Sequence, residues 1–155
     1  MRSRTLRSLA LVAMAAIWAA AARAEVTVTE PWIRGMVAGQ SATGAFMIIR
    51  STDAVRLVEA RSPVAQSVEI HKMEMDQGVM RMRPVDGLDI PAQGAVALKP
   101  NGYHVMLFGV AKPLMKGEKV PITLVFQGED GKQTSTEVQA EVRALAETHG
   151  DMKMH

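Results

Sequence analysis

Val96-Ala97-Leu98-Lys99-Pro100-Asn101-Gly102-Tyr103-His104-Val105-Met106-Leu107-Phe108 is the stretch whose reading decides the fold. A short apolar run stops at a Pro-Asn-Gly turn signal, and a second run follows in which Tyr103, Val105 and Leu107 alternate with His104 and Met106. Successive strand residues point to opposite faces, so the alternation predicts a strand with Tyr103, Val105 and Leu107 on the core side. Outward from this segment the pattern repeats, with strands expected over 26–29, 44–50, 56–61, 67–73, 79–84, 96–98, 103–108, 119–126 and 134–142. Ser51-Thr52-Asp53, Asp86-Gly87 and Gly128-Glu129-Asp130-Gly131 punctuate them as turns. No apolar stripe of helical period interrupts the series. The expectation is one all-β domain, an antiparallel β-sandwich or barrel, over residues 25–144.

Before that domain, Arg2, Arg4 and Arg7 precede an uncharged apolar run from Leu9 to Ala22, and Ala22-Arg23-Ala24 has the small-x-small form of a cleavage site. Residues 1–24 are therefore expected to be a signal peptide cut after Ala24. The run falls short of the ~20 residues that cross a bilayer core, so no membrane span is expected in the mature form. Removing its four arginines from the 18 basic residues leaves 14 against 16 acidic ones, a formal charge of −2. The basic balance of the whole chain thus carries no argument for nucleic-acid binding.

The chain has no cysteine. An exported domain without disulfides must rest on its apolar core, and thiolate chemistry is excluded, including the blue-copper site that needs a Cys ligand. No enzyme is expected, because there is no Cys nucleophile, no Gly-x-Ser-x-Gly elbow and no Ser-His-Asp arrangement.

What the chain has instead is an uneven distribution of its four histidines and 12 methionines. Met73, Met75, Met80 and Met82 closely follow His71, and His104-Val105-Met106 lies in the later strand. Alternation sets His71 apart from Val68 and Ile70, and His104 with Met106 apart from Val105, so both histidines are expected on the side away from the core. A hairpin through Met75-Asp76-Gln77-Gly78 with a four-residue loop pairs His71 with Met82 and Met73 with Met80, at Cβ separations of roughly 5 Å. A three-residue loop is the competing register and turns Met80 and Met82 to the other face. Thioethers are soft, neutral ligands that select Cu(I), and imidazole also accepts copper. Met36, Met47 and Met115 are read as structural, because methionine fills irregular core gaps.

These residues resemble the periplasmic PCu(A)C-type copper chaperone family, whose signature is His, ten residues, Met, twenty-one residues and His-x-Met. Here His71, Met82 and His104-Val105-Met106 stand at that spacing. The flanks Val68-Glu69-Ile70-His71, Val79-Met80-Arg81-Met82-Arg83-Pro84, Leu98-Lys99-Pro100-Asn101-Gly102-Tyr103-His104 and Val120-Pro121-Ile122-Thr123-Leu124 are also similar. The resemblance implies a cupredoxin-like fold, a Cu(I) site made by His71, Met82, His104 and Met106, and a periplasmic monomer. It further implies delivery to the apo CuA domain of cytochrome c oxidase, beside a Sco-type thiol protein. Two other functions compete: a copper-sequestering resistance protein, and a metal-free β-sandwich interaction module.

Met73 and Met80 are candidate accessory ligands. The end of the chain, 145–155, is expected to be a flexible tail in which His149, Asp151, Met152, Met154 and His155 supply a second site suited to Cu(II). A chain ending at Leu145 should then take up fewer Cu(II) equivalents than the full protein in equilibrium dialysis; equal uptake removes the tail site.

Overall fold

The computed structural model describes residues 23–144, and every regular element within them is a strand. Apart from Arg23 and Ala24, the expected signal peptide lies outside the described residues. So does the whole expected tail, with His149, Asp151, Met152, Met154 and His155.

The strands are β1 (Val26–Arg34), β2 (Ala42–Ser51), β3 (Val55–Arg61), β4 (Ser67–Asp76), β5 (Val79–Pro84), β6 (Leu88–Ile90), β7 (Gly94–Leu98), β8 (Tyr103–Phe108), β9 (Lys119–Gly128) and β10 (Gln133–Arg143). They hydrogen-bond in the order β5-β4-β8-β2-β1-β10-β9-β3-β6, and β7 pairs with β2 beyond the end of β8. The sheet curls so that both halves share one core. Ile33, Ala45, Met47, Ile49, Ile70, Val105 and Leu107 come from the first half, and Leu57, Ile122, Leu124, Phe126, Ala140 and Val142 from the second. Burial of these apolar side chains, the larger ones each stabilising by roughly 1.5–3 kcal/mol, is what holds a cysteine-free domain together.

Four features differ from the sequence expectation. First, β1 and β10 run parallel, with Trp32 beside Glu141 and Arg34 beside Arg143, while the other pairs are antiparallel. Second, β1 does not stop at Thr29. The register shifts between Thr29 and Trp32 at Glu30, whose φ is 51°, and this bulge accommodates Pro31 and carries the strand on to Arg34. Third, the short β6, absent from the expected strands, pairs with β3 and buries Leu88 and Ile90.

The fourth concerns the hairpin between β4 and β5. Its loop is the two residues Gln77 and Gly78, both with positive φ (50° and 80°), a turn whose twist matches that of the strands. The register therefore pairs His71 with Pro84, Met73 with Met82 and Met75 with Met80, in place of the expected His71–Met82 and Met73–Met80. The slip moves each partner by two residues, so no side chain changes face.

Gly78→Val places a β-branched residue at a left-handed position and should destabilise the hairpin by roughly 1–2 kcal/mol. Amide exchange should speed up in β4 and β5 near the turn and stay unchanged in β9 and β10.

Candidate metal centre

Strands β4, β8, β2 and β1 are adjacent, and each sends alternate residues away from the aliphatic core. On β8, Val105 and Leu107 go into the core, which leaves His104, Met106 and Phe108 for the opposite face. Pairing aligns His71 directly with His104, Glu69 with Met106 on one side, and Gly44 with Met106 on the other. Phe46 and Gly44 on β2 continue this face, and Trp32 and Arg34 on β1 complete it. Met73 follows His71 on the same face of β4 and brings Met82 alongside it from β5.

A cleft of about 260 Å³ opens over this face, lined among others by Arg34, Gly44, Phe46, Met73, Met82, His104 and Met106. Gly44 helps to open it: a Cβ there would stand 3.0 Å from the Phe46 ring. Of the four candidate ligands, Met82, His104 and Met106 line the cleft. His71 lies beneath, its ring centroid 5.8 Å from that of His104 and 5.7 Å from that of Phe108. Metal–nitrogen bonds of about 2.0 Å allow two imidazoles at such a separation to share one ion.

The histidines do lie away from the core, but they are covered: His71 is 6% exposed and His104 3%. Rings supply the cover. Phe46 stands 6.1 Å from His104 and packs at 4.5 Å against Trp32, while the Arg34 guanidinium stacks 5.7 Å over Phe46. Sequence reasoning missed Trp32, Arg34 and Phe46. Alternation within each strand assigns their face, but nothing local shows that β1, β2 and β8 are neighbours.

The hydrogen bonds of the two imidazoles leave one nitrogen of His71 conspicuous. Its Nε2–H donates to Glu69 Oε2 at 2.7 Å, which fixes the tautomer because a carboxylate only accepts. In the neutral ring Nδ1 then carries the lone pair, and it is buried without a hydrogen-bond partner. Among the described residues the one other buried side-chain N or O atom without a partner is Arg34 Nε, a cationic N–H donor on a residue that lines the cleft. An unpartnered buried acceptor carries a desolvation cost of about 1–3 kcal/mol, so Nδ1 of His71 is a natural point of attachment for a ligand. His104 Nδ1–H donates to the Gly102 carbonyl oxygen at 3.2 Å, which turns its Nε2 into the donor atom for a metal.

No cluster of three or more His, Cys, Asp or Glu side chains suited to a metal occurs among the described residues. The thioethers of Met73, Met82 and Met106 share the cleft with His104, and soft neutral donors of this kind favour a soft monovalent ion over zinc or a hard cation. Met73 lines the cleft opposite Met82, whereas Met80 lies one pair further out, opposite Met75. Met36 and Met47 are buried in the core, as read from the sequence; Met115, read the same way, is 58% exposed and fills no core gap.

A helix-free curled sheet with one face in the core and the other carrying imidazole and thioether groups defines a single-domain cupredoxin-like β-fold. Residues 26–144 match the LpqE-like family, described as "Putative lipoprotein LpqE-like", and the chain belongs to that family. Over 104 residues it is 34% identical to a protein of Leifsonia xyli subsp. xyli (strain CTCB07) named as a "Putative lipoprotein", covering 65% of this chain and only 61% of that relative's length. Among solved structures it is similar to the Cu(I) form of DR1885 from Deinococcus radiodurans (31% identity, TM-score 0.51, 76% of each chain covered). The copper-bound PCuAC domain from PmoF2, at 24% identity, TM-score 0.60 and coverage of 77% of this chain and 92% of that one, shares the fold.

Burial holds His104 below the ordinary imidazole value of 6.5; the Gly102 hydrogen bond opposes the shift, and His71 and Arg34 reinforce it. Since the folded value lies below the unfolded one, this histidine stabilises the fold fully above 6.5, and that stability is lost as pH falls below it. The metal-free protein should melt at a lower temperature at about pH 5.5 than at about pH 7.5, and the His104 ring proton should titrate below its unfolded midpoint in NMR.

Proposed function

We propose that this chain is a copper carrier that holds Cu(I) as cargo through His71 Nδ1, His104 Nε2 and the sulfurs of Met82 and Met106, and hands it to another protein. The observation that carries the reading is the bare, buried Nδ1 of His71, set beside His104 and a cleft lined by thioethers. Four neutral donors leave a divalent ion uncompensated, and the Arg34 guanidinium lining the same cleft adds to that penalty. Neutral thioethers also lose no proton on binding and release the ion to a stronger acceptor without one. The Cu(I) form of the 31% identical relative supports the same cargo.

We further read residues 1–24 as a leader cut after Ala24, residues 25–144 as the carrier domain and 145–155 as a tail with its own Cu(II) ligands. The lipoprotein description of the family supports export, and the periplasm is the compartment proposed. Among the described residues no helix is long and apolar enough to cross a membrane. The recipient proposed is the apo CuA domain of cytochrome c oxidase, with a Sco-type thiol protein as the accompanying partner.

Equilibrium dialysis with Cu(I) tests the site. Met82→Ala with Met106→Ala should weaken binding by at least about tenfold, which corresponds to roughly 1.4 kcal/mol. Undiminished binding in this double variant removes the ligand assignment, and absence of binding by the wild type leaves a metal-free interaction module. Transfer to an apo CuA domain then separates a carrier, which releases the ion, from a sequestering protein, which retains it.

A further inference from the structure

The β4–β5 hairpin has two unlike faces. On one, Lys72 and Glu74 pair at 3.2 Å, Arg83 reaches Glu74 at 3.6 Å and Asp76 at 3.1 Å, and Arg81 reaches Asp76 at 3.3 Å. On the other, the register sets Met75 directly opposite Met80 and Met73 directly opposite Met82, in line with His71. Met75 is 65% exposed, Met80 43% and Met82 49%, and all six residues of β5 are exposed. Core filling therefore does not explain the outer pair. Three flexible, apolar side chains are held in water on a hairpin whose reverse face is laced with charge.

Their spacing gives them a use. Opposed residues on paired strands have Cβ atoms about 5 Å apart, within reach of two methionine sulfurs converging on one ion. Residues two apart along a strand are separated by roughly 7 Å, so the Met75–Met80 pair stands one step beyond Met73–Met82, and that pair one step beyond His71. The three steps share one face and run from the turn at Gln77-Gly78 into the cleft.

We propose that Met75 and Met80 form a second, outer Cu(I) station through which the ion enters and leaves the inner site. The proposal rests on the carrier reading above. On the way out the ion gives up the nitrogens of His71 and His104 and the sulfurs of Met82 and Met106 and gains those of Met75 and Met80; every donor is neutral and the ion stays monovalent, so no electron or proton moves. With only two sulfurs in water the outer station binds weakly and exchanges fast, while the imidazoles make the inner site the stronger one.

The test compares wild type with the double variant Met75→Leu, Met80→Leu, which keeps the exposed apolar bulk and removes both sulfurs. The first Cu(I) equivalent should bind both proteins equally in competition with a chromophoric chelator, which also shows that the variant folds. Withdrawal of that ion by excess chelator should slow by roughly tenfold in the variant, about 1.4 kcal/mol in barrier. In the wild type, carbon-13 methionine methyl signals of Met75 and Met80 should move only beyond the first equivalent. An unchanged withdrawal rate, or unmoved Met75 and Met80 methyls, overturns the outer station while the inner site stands. A wild type that takes up no Cu(I) overturns the carrier reading and the station with it.

Discussion

His71 and His104 face one another across β4 and β8 on the side of the sheet turned from the aliphatic core, and both are covered nearly completely. Covering a polar ring requires a partner for each of its nitrogens or a reason for its absence. Glu69 and the Gly102 carbonyl each take one N–H, and these two bonds orient the rings. Phe108 packs on the ring of His71, and Phe46, backed by Trp32, on that of His104, while Nδ1 of His71 stays buried. Most of what is distinctive about this face follows from that one buried, half-satisfied imidazole pair.

The rest of the domain supplies rigidity. Val105 and Leu107 anchor the underside of β8 in the core, so His104 and Met106 project from a strand that cannot tilt without opening a packed interior. Met82 is held differently, on an exposed edge strand attached only through β4, where its ion-paired reverse face steadies the ribbon. Of the four ligands proposed above, the two on β8 are thus fixed by the core and Met82 by a hairpin at the edge of the sheet. That division suits the carrier role proposed above.

The strand alternation around His104 made the fold class and the sidedness of the candidate ligands legible in the sequence. Alternation is a local property and survives errors of two residues, which is why the misjudged hairpin register left Met82 on the face of His71. What was illegible depends on distant neighbours or on unusual backbone. Gln77 does not advertise a left-handed conformation as Asn would, so the tight turn was read as a longer loop. Glu30-Pro31 reads as the end of a strand unless a bulge is known to absorb it. Phe46 meets His104 because β2 adjoins β8, and Trp32 and Arg34 stack on Phe46 because β1 adjoins β2, an order that no short stretch of sequence encodes.

The parallel pairing of β1 with β10 joins the first strand of the domain to the last. Contacts so far apart along the chain are slow to form, because loop-closure entropy is lost before any contact energy is returned. Arg34, which lines the cleft, and Trp32, packed on the Phe46 of its lining, lie on the segment of β1 held between β2 and β10. Until that final strand arrives during synthesis, this end of β1 is held from β2 alone, and the wall of the cleft it forms stays open on one side.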